Sequence, residues 1–143
     1  MIHRFIVELA TYEREADAVE VTPAQLREQL SAERPPFEAL IAETDQPVGF
    51  ALYLPSYSTW LGRPGLWLED LYVTPEARGA GIGRALLTEL ARRAKARGCG
   101  RLEWAVLDWN TPAHAFYETL GARPVSDWTR WRLTGDGLID LAG

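Results

Sequence analysis

The residues with the most explicit chemistry are Arg78-Gly79-Ala80-Gly81-Ile82-Gly83, which lie between an apolar run ending at Val73 and a strongly periodic segment starting at Ile82. A glycine-rich turn entering a helix presents unpaired backbone N–H groups and the positive end of the helix dipole, the elements of a phosphate-binding site. Glycines let the backbone approach an anion closely and adopt left-handed torsion angles. The third glycine comes one position too early for the dinucleotide fingerprint, and the lysine and hydroxyl of a triphosphate loop are missing. The run reads as a diphosphate-binding loop or, more simply, as a tight strand-to-helix turn.

Other chemistries find little support. Cys99 is the only cysteine and His3 and His114 are far apart, so neither an internal disulfide nor a zinc site is expected. Cys99 has no neighbouring histidine and reads as a core thiol, and His114 as a helix-surface residue. The net charge of −5 argues against nucleic-acid binding and suits a cationic small substrate. No apolar run is long enough to span a membrane and no secretion core opens the chain, so a cytoplasmic protein is expected. A length of 143 residues with 47% apolar content fits one domain, residues 1–143.

The elements that must position the loop follow from periodicity. Ile2, Phe5, Ile6 and Leu9 recur at helical spacing to about Tyr12, followed by an acidic loop. Thr22-Pro23 starts a helix to about Ala32, which Pro35-Pro36 ends. Phe37 to Glu43 and Val48 to Leu54, joined by Thr44-Asp45-Gln46-Pro47, read as a hairpin. A loop bearing Tyr57 and Trp60 leads to a third strand, Gly65 to Val73. Ile82, Leu86, Leu90 and Ala94 form the stripe of the clearest helix, with Gly98 as its stop and the arginines between Arg84 and Arg97 mostly on a solvated face. Arg101 to Leu107 reads as a strand, Thr111-Pro112 as the start of a short helix ended by Gly121, and Trp128 to Leu133 as a final strand. This order predicts an α/β (α+β) fold with a mixed, mostly antiparallel sheet flanked by helices.

At the loop the sequence resembles the GNAT superfamily of N-acetyltransferases, whose coenzyme-A loop has the form Arg/Gln-x-x-Gly-x-Gly/Ala, matched by Arg78 to Gly83. Leu68-Glu69-Asp70-Leu71-Tyr72-Val73 and Ala105-Val106-Leu107-Asp108-Trp109-Asn110 are similar to segments of the diamine (spermidine/spermine) and thialysine acetyltransferases. Phe116-Tyr117-Glu118, Gly121-Ala122 and Trp131-Arg132 continue the likeness. Such relatives place a strand before the segment that opens here at Met1, so the sheet is expected to lack that first edge strand.

The resemblance implies acetyl-CoA as cosubstrate, no metal, and a set of roles. Tyr117 is implied to be the general acid; its ordinary pKa near 10 exceeds that of a thiol, so it stays protonated at neutral pH. Glu69 is implied to accept the amine proton. Strand alternation would put Asp70 on the opposite face, leaving only one of the pair toward the cleft. Backbone groups of Leu71, Tyr72 and Val73, the loop Arg78, Gly79, Ala80, Gly81, Ile82 and Gly83 with Arg84, and Asn110, Thr111, Pro112 and Ala113 are implied to bind the coenzyme. Tyr12, Glu13, Asp70, Glu103, Trp104, Ala105 and Trp131 are implied on the acceptor side.

Two acidic positions that help hold a polyamine in those relatives appear here as Ser58 and Thr129, which weighs against a polyamine specifically. The expected reaction is direct transfer from acetyl-CoA to a small primary amine. A protein N-terminus or lysine as acceptor, and a non-catalytic acyl-CoA sensor, are the competing readings. A homodimer is expected, because relatives pair two subunits, a missing strand exposes a sheet edge, and Trp60, Trp128 and Trp131 exceed what a small core hides.

Overall fold

A computed structural model describes every residue from Met1 to Gly143. Its elements are α1 (Ile2–Tyr12), α2 (Pro23–Leu30), β1 (Glu38–Glu43), β2 (Pro47–Ser58), β3 (Arg63–Val73), α3 (Ile82–Ala96), β4 (Arg101–Trp104), α4 (Thr111–Thr119) and α5 (Gly135–Ala142). They fall into two compact units, Met1–Leu107 and Asp108–Gly143.

The first unit is a mixed four-stranded sheet in the order β1-β2-β3-β4, with β1, β2 and β3 antiparallel and β4 parallel to β3. Parallel neighbours need a crossover, which α3 supplies. On one sheet face Phe5 of α1 stacks on Phe50 at 5.5 Å and packs with Leu52 and Tyr72. On the other, Leu86, Leu87, Leu90 and Ala94 of α3 are buried, as are Tyr53, Leu66 and Leu68 of the sheet. Arg93 of α3 donates to the Tyr53 hydroxyl at 2.9 Å, and Arg97 grips Glu38 of β1 with two bonds of 2.7 Å. These two arginines tie the helix to the sheet, unlike the solvated face expected for them.

Helix starts match the capping chemistry where side chains supply it. Thr22 accepts from the Gln25 N–H at 3.2 Å while Gln25 accepts from the Thr22 N–H at 2.9 Å, a reciprocal capping box at α2. At α4 the cap position falls on Asn110 instead of Thr111, with Pro112 inside the first turn.

Three strand boundaries depart from the sequence reading. β2 continues through Pro55 and Tyr57 to Ser58, so Tyr57 lies in a strand, opposite Pro64. Its pairing with β1 ends at Tyr53, so beyond that point one side of β2 is an edge, where a proline sacrifices no ladder bond. β4 stops at Trp104, leaving Ala105 to Leu107 outside any strand. Trp128 to Leu133 forms no strand; Trp128 is 70% and Trp131 90% exposed. An aromatic-rich run resembles a strand, but needs a partner edge to become one. The chain continues instead into the helix α5, which periodicity had not suggested.

Candidate active site

The loop from Arg78 to Gly83 has the backbone its glycines imply. Gly79 has φ +84° and Gly81, the residue capping α3, has φ +79°, with no side chain capping that helix. A Cβ at either glycine would meet no atom within 4 Å, so the loop's outer surface is open and glycine is demanded by torsion angle. This fits an anion held by backbone N–H groups at the start of a 15-residue helix. Arg78 turns back, its Nε donating to the Val73 carbonyl at 3.0 Å.

Beside the loop, β3 has an open side. β4 pairs with it only from Gly65 to Leu68, while β2 pairs along its whole length to Val73. The β4-facing backbone from Glu69 to Val73 therefore has no strand partner. The cause is a register shift: Tyr53 faces Leu68 and Leu52 faces Asp70, so Glu69 is an extra, bulged residue. A bulge bends its strand and increases the local twist, which carries β3 away from β4 at the point where their pairing stops.

The bulge also corrects the expectation that Glu69 and Asp70 point to opposite faces. Trp67 lies opposite Leu54 and Asp70 opposite Leu52, two residues apart on β2 and hence on one face. The Trp67 Nε1–H donates to Oε2 of Glu69 at 2.8 Å, which brings Glu69 to that same face. Both carboxylates are therefore on the α1 side of the sheet. Glu69 is exposed and Asp70 half-buried. Burial first, then the charges of Glu69 and Glu13, push the Asp70 carboxyl up to about 6. Burial also raises the Glu13 carboxyl.

Register sorts the remaining acceptor-side candidates of this unit. Glu103 lies opposite Trp67 and shares the carboxylate face, whereas Trp104 lies opposite Leu68, on the α3 face. Alternation thus separates Trp104 from Glu103, and Ala105 falls past the end of β4. Tyr12 ends α1, followed by Glu13, whose charge reaches Asp70. A cavity of about 490 Å³ on the α1 side of the loop is walled by Arg4, Glu8, Gln46, Thr74, Ala80 and Ile82, and none of the carboxylates at the bulge lines it.

In the second unit Asn110, Thr111, Pro112 and Ala113 open α4, and Tyr117 lies on its last full turn, ring to ring with Phe116 at 5.5 Å. The Asn110 side chain does not cap the helix. Trp131 stands outside regular structure. The bulge is the feature missed by sequence reasoning; the unbroken run Trp67-Leu68-Glu69-Asp70 carries no glycine to signal it.

A strand with a bulge and an open side, leading into a glycine turn and a helix, is the framework of a coenzyme-A-dependent acyltransferase, and residues 4–122 match the acetyltransferase (GNAT) family, to which this chain belongs. It is an acetyl-CoA-dependent N-acetyltransferase. The chain is 42% identical to the thialysine N-epsilon-acetyltransferase of Sus scrofa, over 99% of its own length and 90% of that protein. It is 36% identical to the human spermidine/spermine N(1)-acetyltransferase-like protein 1, over 99% of this chain but 22% of that one. Among solved structures, an integron cassette protein from the mobile metagenome of V. cholerae superposes with a TM-score of 0.79 at 30% identity, covering 99% of this chain and 88% of the other. No helix is long and apolar enough to cross a membrane.

Proposed function

We propose that this enzyme acetylates a small primary amine of the thialysine, diamine or polyamine kind by direct attack in a ternary complex. The observation that carries the reading is the convergence of Glu69, Asp70 and Glu103 on one sheet face, with Glu13 close enough to raise Asp70, beside the open side of β3. Acidic walls attract an ammonium group and supply a place for its proton. The likeness to thialysine acetyltransferases over nearly the whole chain supports the small-amine class.

Bound acetyl-CoA supplies the acyl carbonyl and the departing thiolate. The loop Arg78 to Gly83 holds its diphosphate, aided by Arg84, and the backbone of Leu71, Tyr72 and Val73, on the side of β3 that β4 does not cover, holds its pantetheine arm. Asn110, Thr111, Pro112 and Ala113 provide the remaining coenzyme contacts. Asp70, its carboxyl raised to about 6, accepts the amine proton, and Glu69, held by Trp67, orients the amine or an intervening water. Tyr117 returns a proton to the thiolate. Direct attack is preferred to an acetyl-enzyme because the only cysteine, Cys99, has no histidine beside it in the sequence to activate it.

The family match runs through the first compact unit and into the second as far as residue 122, which supports one acetyltransferase domain. The homodimer is retained as part of this reading, supported by the exposure of Trp60, at 81%, and of Trp131. Light scattering at micromolar concentration tests it, with a monomeric mass in a fully active preparation as the refuting result. For the acceptor, a thiol-release screen sets thialysine, diamines and polyamines against N-terminal and lysine peptides. Small amines should show the higher kcat/KM; a preference for peptides, or no turnover with any of them, refutes the reading.

A further inference from the structure

Register carries the carboxylate face on toward the β2–β3 turn. After Asp70 opposite Leu52 and Trp67 opposite Leu54, the next row on that face is Ser56, Gly65 and Arg101. The Arg101 Cβ lies 3.8 Å from where a Gly65 Cβ would stand, as expected of neighbours on one face. A side chain at Gly65 would press on the Ser56 Oγ at 2.7 Å and on the Arg101 carbonyl at 3.2 Å. The φ of Gly65 is not positive, so space and not torsion angle requires glycine there, and the row keeps a recess between serine and arginine. Arg101 is exposed, and the ion pairs of this unit, Arg4–Glu8, Arg92 and Arg93 with Glu89, and Arg97–Glu38, make no use of it.

The face therefore carries its charges in a fixed order. Glu69 and Asp70 stand at one end, Trp67 and Glu103 in the middle, and Arg101 with the Ser56 hydroxyl at the other. From Leu52 to Ser56 is four residues, a rise of about 13 Å. An amine and a carboxylate joined by an extended five-atom chain, with a hydrogen bond at each end, also span about 13 Å. From this order we propose that Arg101 and Glu103 are specificity-determining residues that select an α,ω-diamino acid over a diamine. Arg101 and the Ser56 hydroxyl take the α-carboxylate, and Glu103, two residues along the same strand, takes the α-ammonium. The half-buried Trp67 carries the aliphatic stem, and the ω-amine reaches Asp70. A diamine of equal length lacks the carboxylate and sets its second ammonium group beside the Arg101 cation, a repulsive element that the amino acid does not meet. The assignment rests on the reading of this face as the acceptor side.

The test compares thialysine with the diamine left by removing its carboxyl group, in the full chain as wild type, Arg101→Gln, Arg101→Lys and Arg92→Gln. Both compounds are measured as acceptors at saturating acetyl-CoA and, by calorimetry, as ligands of the CoA-bound protein. Wild type should prefer thialysine in kcat/KM and in affinity. Arg101→Gln should lower that preference by roughly tenfold or more, the range for losing a hydrogen bond between charged groups, by raising KM for thialysine and lowering it for the diamine. Arg101→Lys keeps the charge without the paired donors and should recover part of the preference. Arg92→Gln removes a cation of α3, which packs on the other face of the sheet, and should leave the preference as in wild type. A wild type that does not prefer thialysine, an unchanged preference in Arg101→Gln, or an equal loss in Arg92→Gln overturns the proposal. Absence of turnover with both compounds refutes the small-amine reading alone, because the binding ratio still decides the role of Arg101; absence of binding as well overturns both.

Discussion

Trp67 donates its indole N–H to Glu69 at 2.8 Å along a single strand, two residues apart. That bond fixes one oxygen of an otherwise exposed carboxylate beside Asp70, and so concentrates negative charge on the sheet face where we propose that the ammonium group binds. The first prediction concerns this pair. Glu69→Gln keeps an oxygen to accept from Trp67 and removes the charge, which is one cause of the raised Asp70 carboxyl. The acidic limb of the pH profile of kcat/KM should therefore move to lower pH than the wild-type limb near 6, along with a loss of activity. A limb that stays in place would separate Asp70 from the proton transfer.

Asp70 itself should trade stability for function. Its folded pKa of about 6 lies above its ordinary unfolded value, roughly 3.9, so its contribution is favourable below about pH 4 and is lost as pH rises through 6. Asp70→Asn should therefore stabilise the fold by roughly 1–3 kcal/mol at pH 8, with no gain near pH 4, and should lower turnover. Urea unfolding at the two pH values checks the sign; equal effects at both would refute the linkage.

Tyr117→Phe should lower kcat by about ten- to ten-thousand-fold with little change in acetyl-CoA affinity, the signature of a lost general acid. Calorimetry and steady-state kinetics on one preparation give both numbers. Wild-type turnover in the variant would remove Tyr117 from the chemistry.

Gly81 separates torsion angle from space. Because φ is +79° and no atom lies near its Cβ position, Gly81→Val should weaken CoA binding through backbone strain, whereas Gly81→Asn, which tolerates left-handed angles, should lose less. Equal losses in calorimetry would point to steric exclusion of the diphosphate instead.

Much of this protein was determined by sequence alone because the signals are local. A hydroxyl before Pro23, glycines at 79 and 81, and a four-residue stripe along α3 act through torsion angles and hydrogen bonds within a few residues. The mixed sheet and the loop-to-helix turn were legible from them, and with the family resemblance so was acetyl-CoA-dependent transfer. The candidate site was legible only as a set of residue names. What the tertiary structure decided is which of those residues share a face. Glu69 and Asp70 are adjacent in the chain, and strict alternation would part them; the mismatch between β2 and β3 inserts a bulge and turns both to one side. The same bulge ends β4 at Trp104, and the missing β1 partner lets β2 run through Pro55. Trp128 to Leu133 has strand composition and no strand. In each case the outcome depends on pairing with a segment distant in sequence, and register is a property of two strands that neither one encodes by itself.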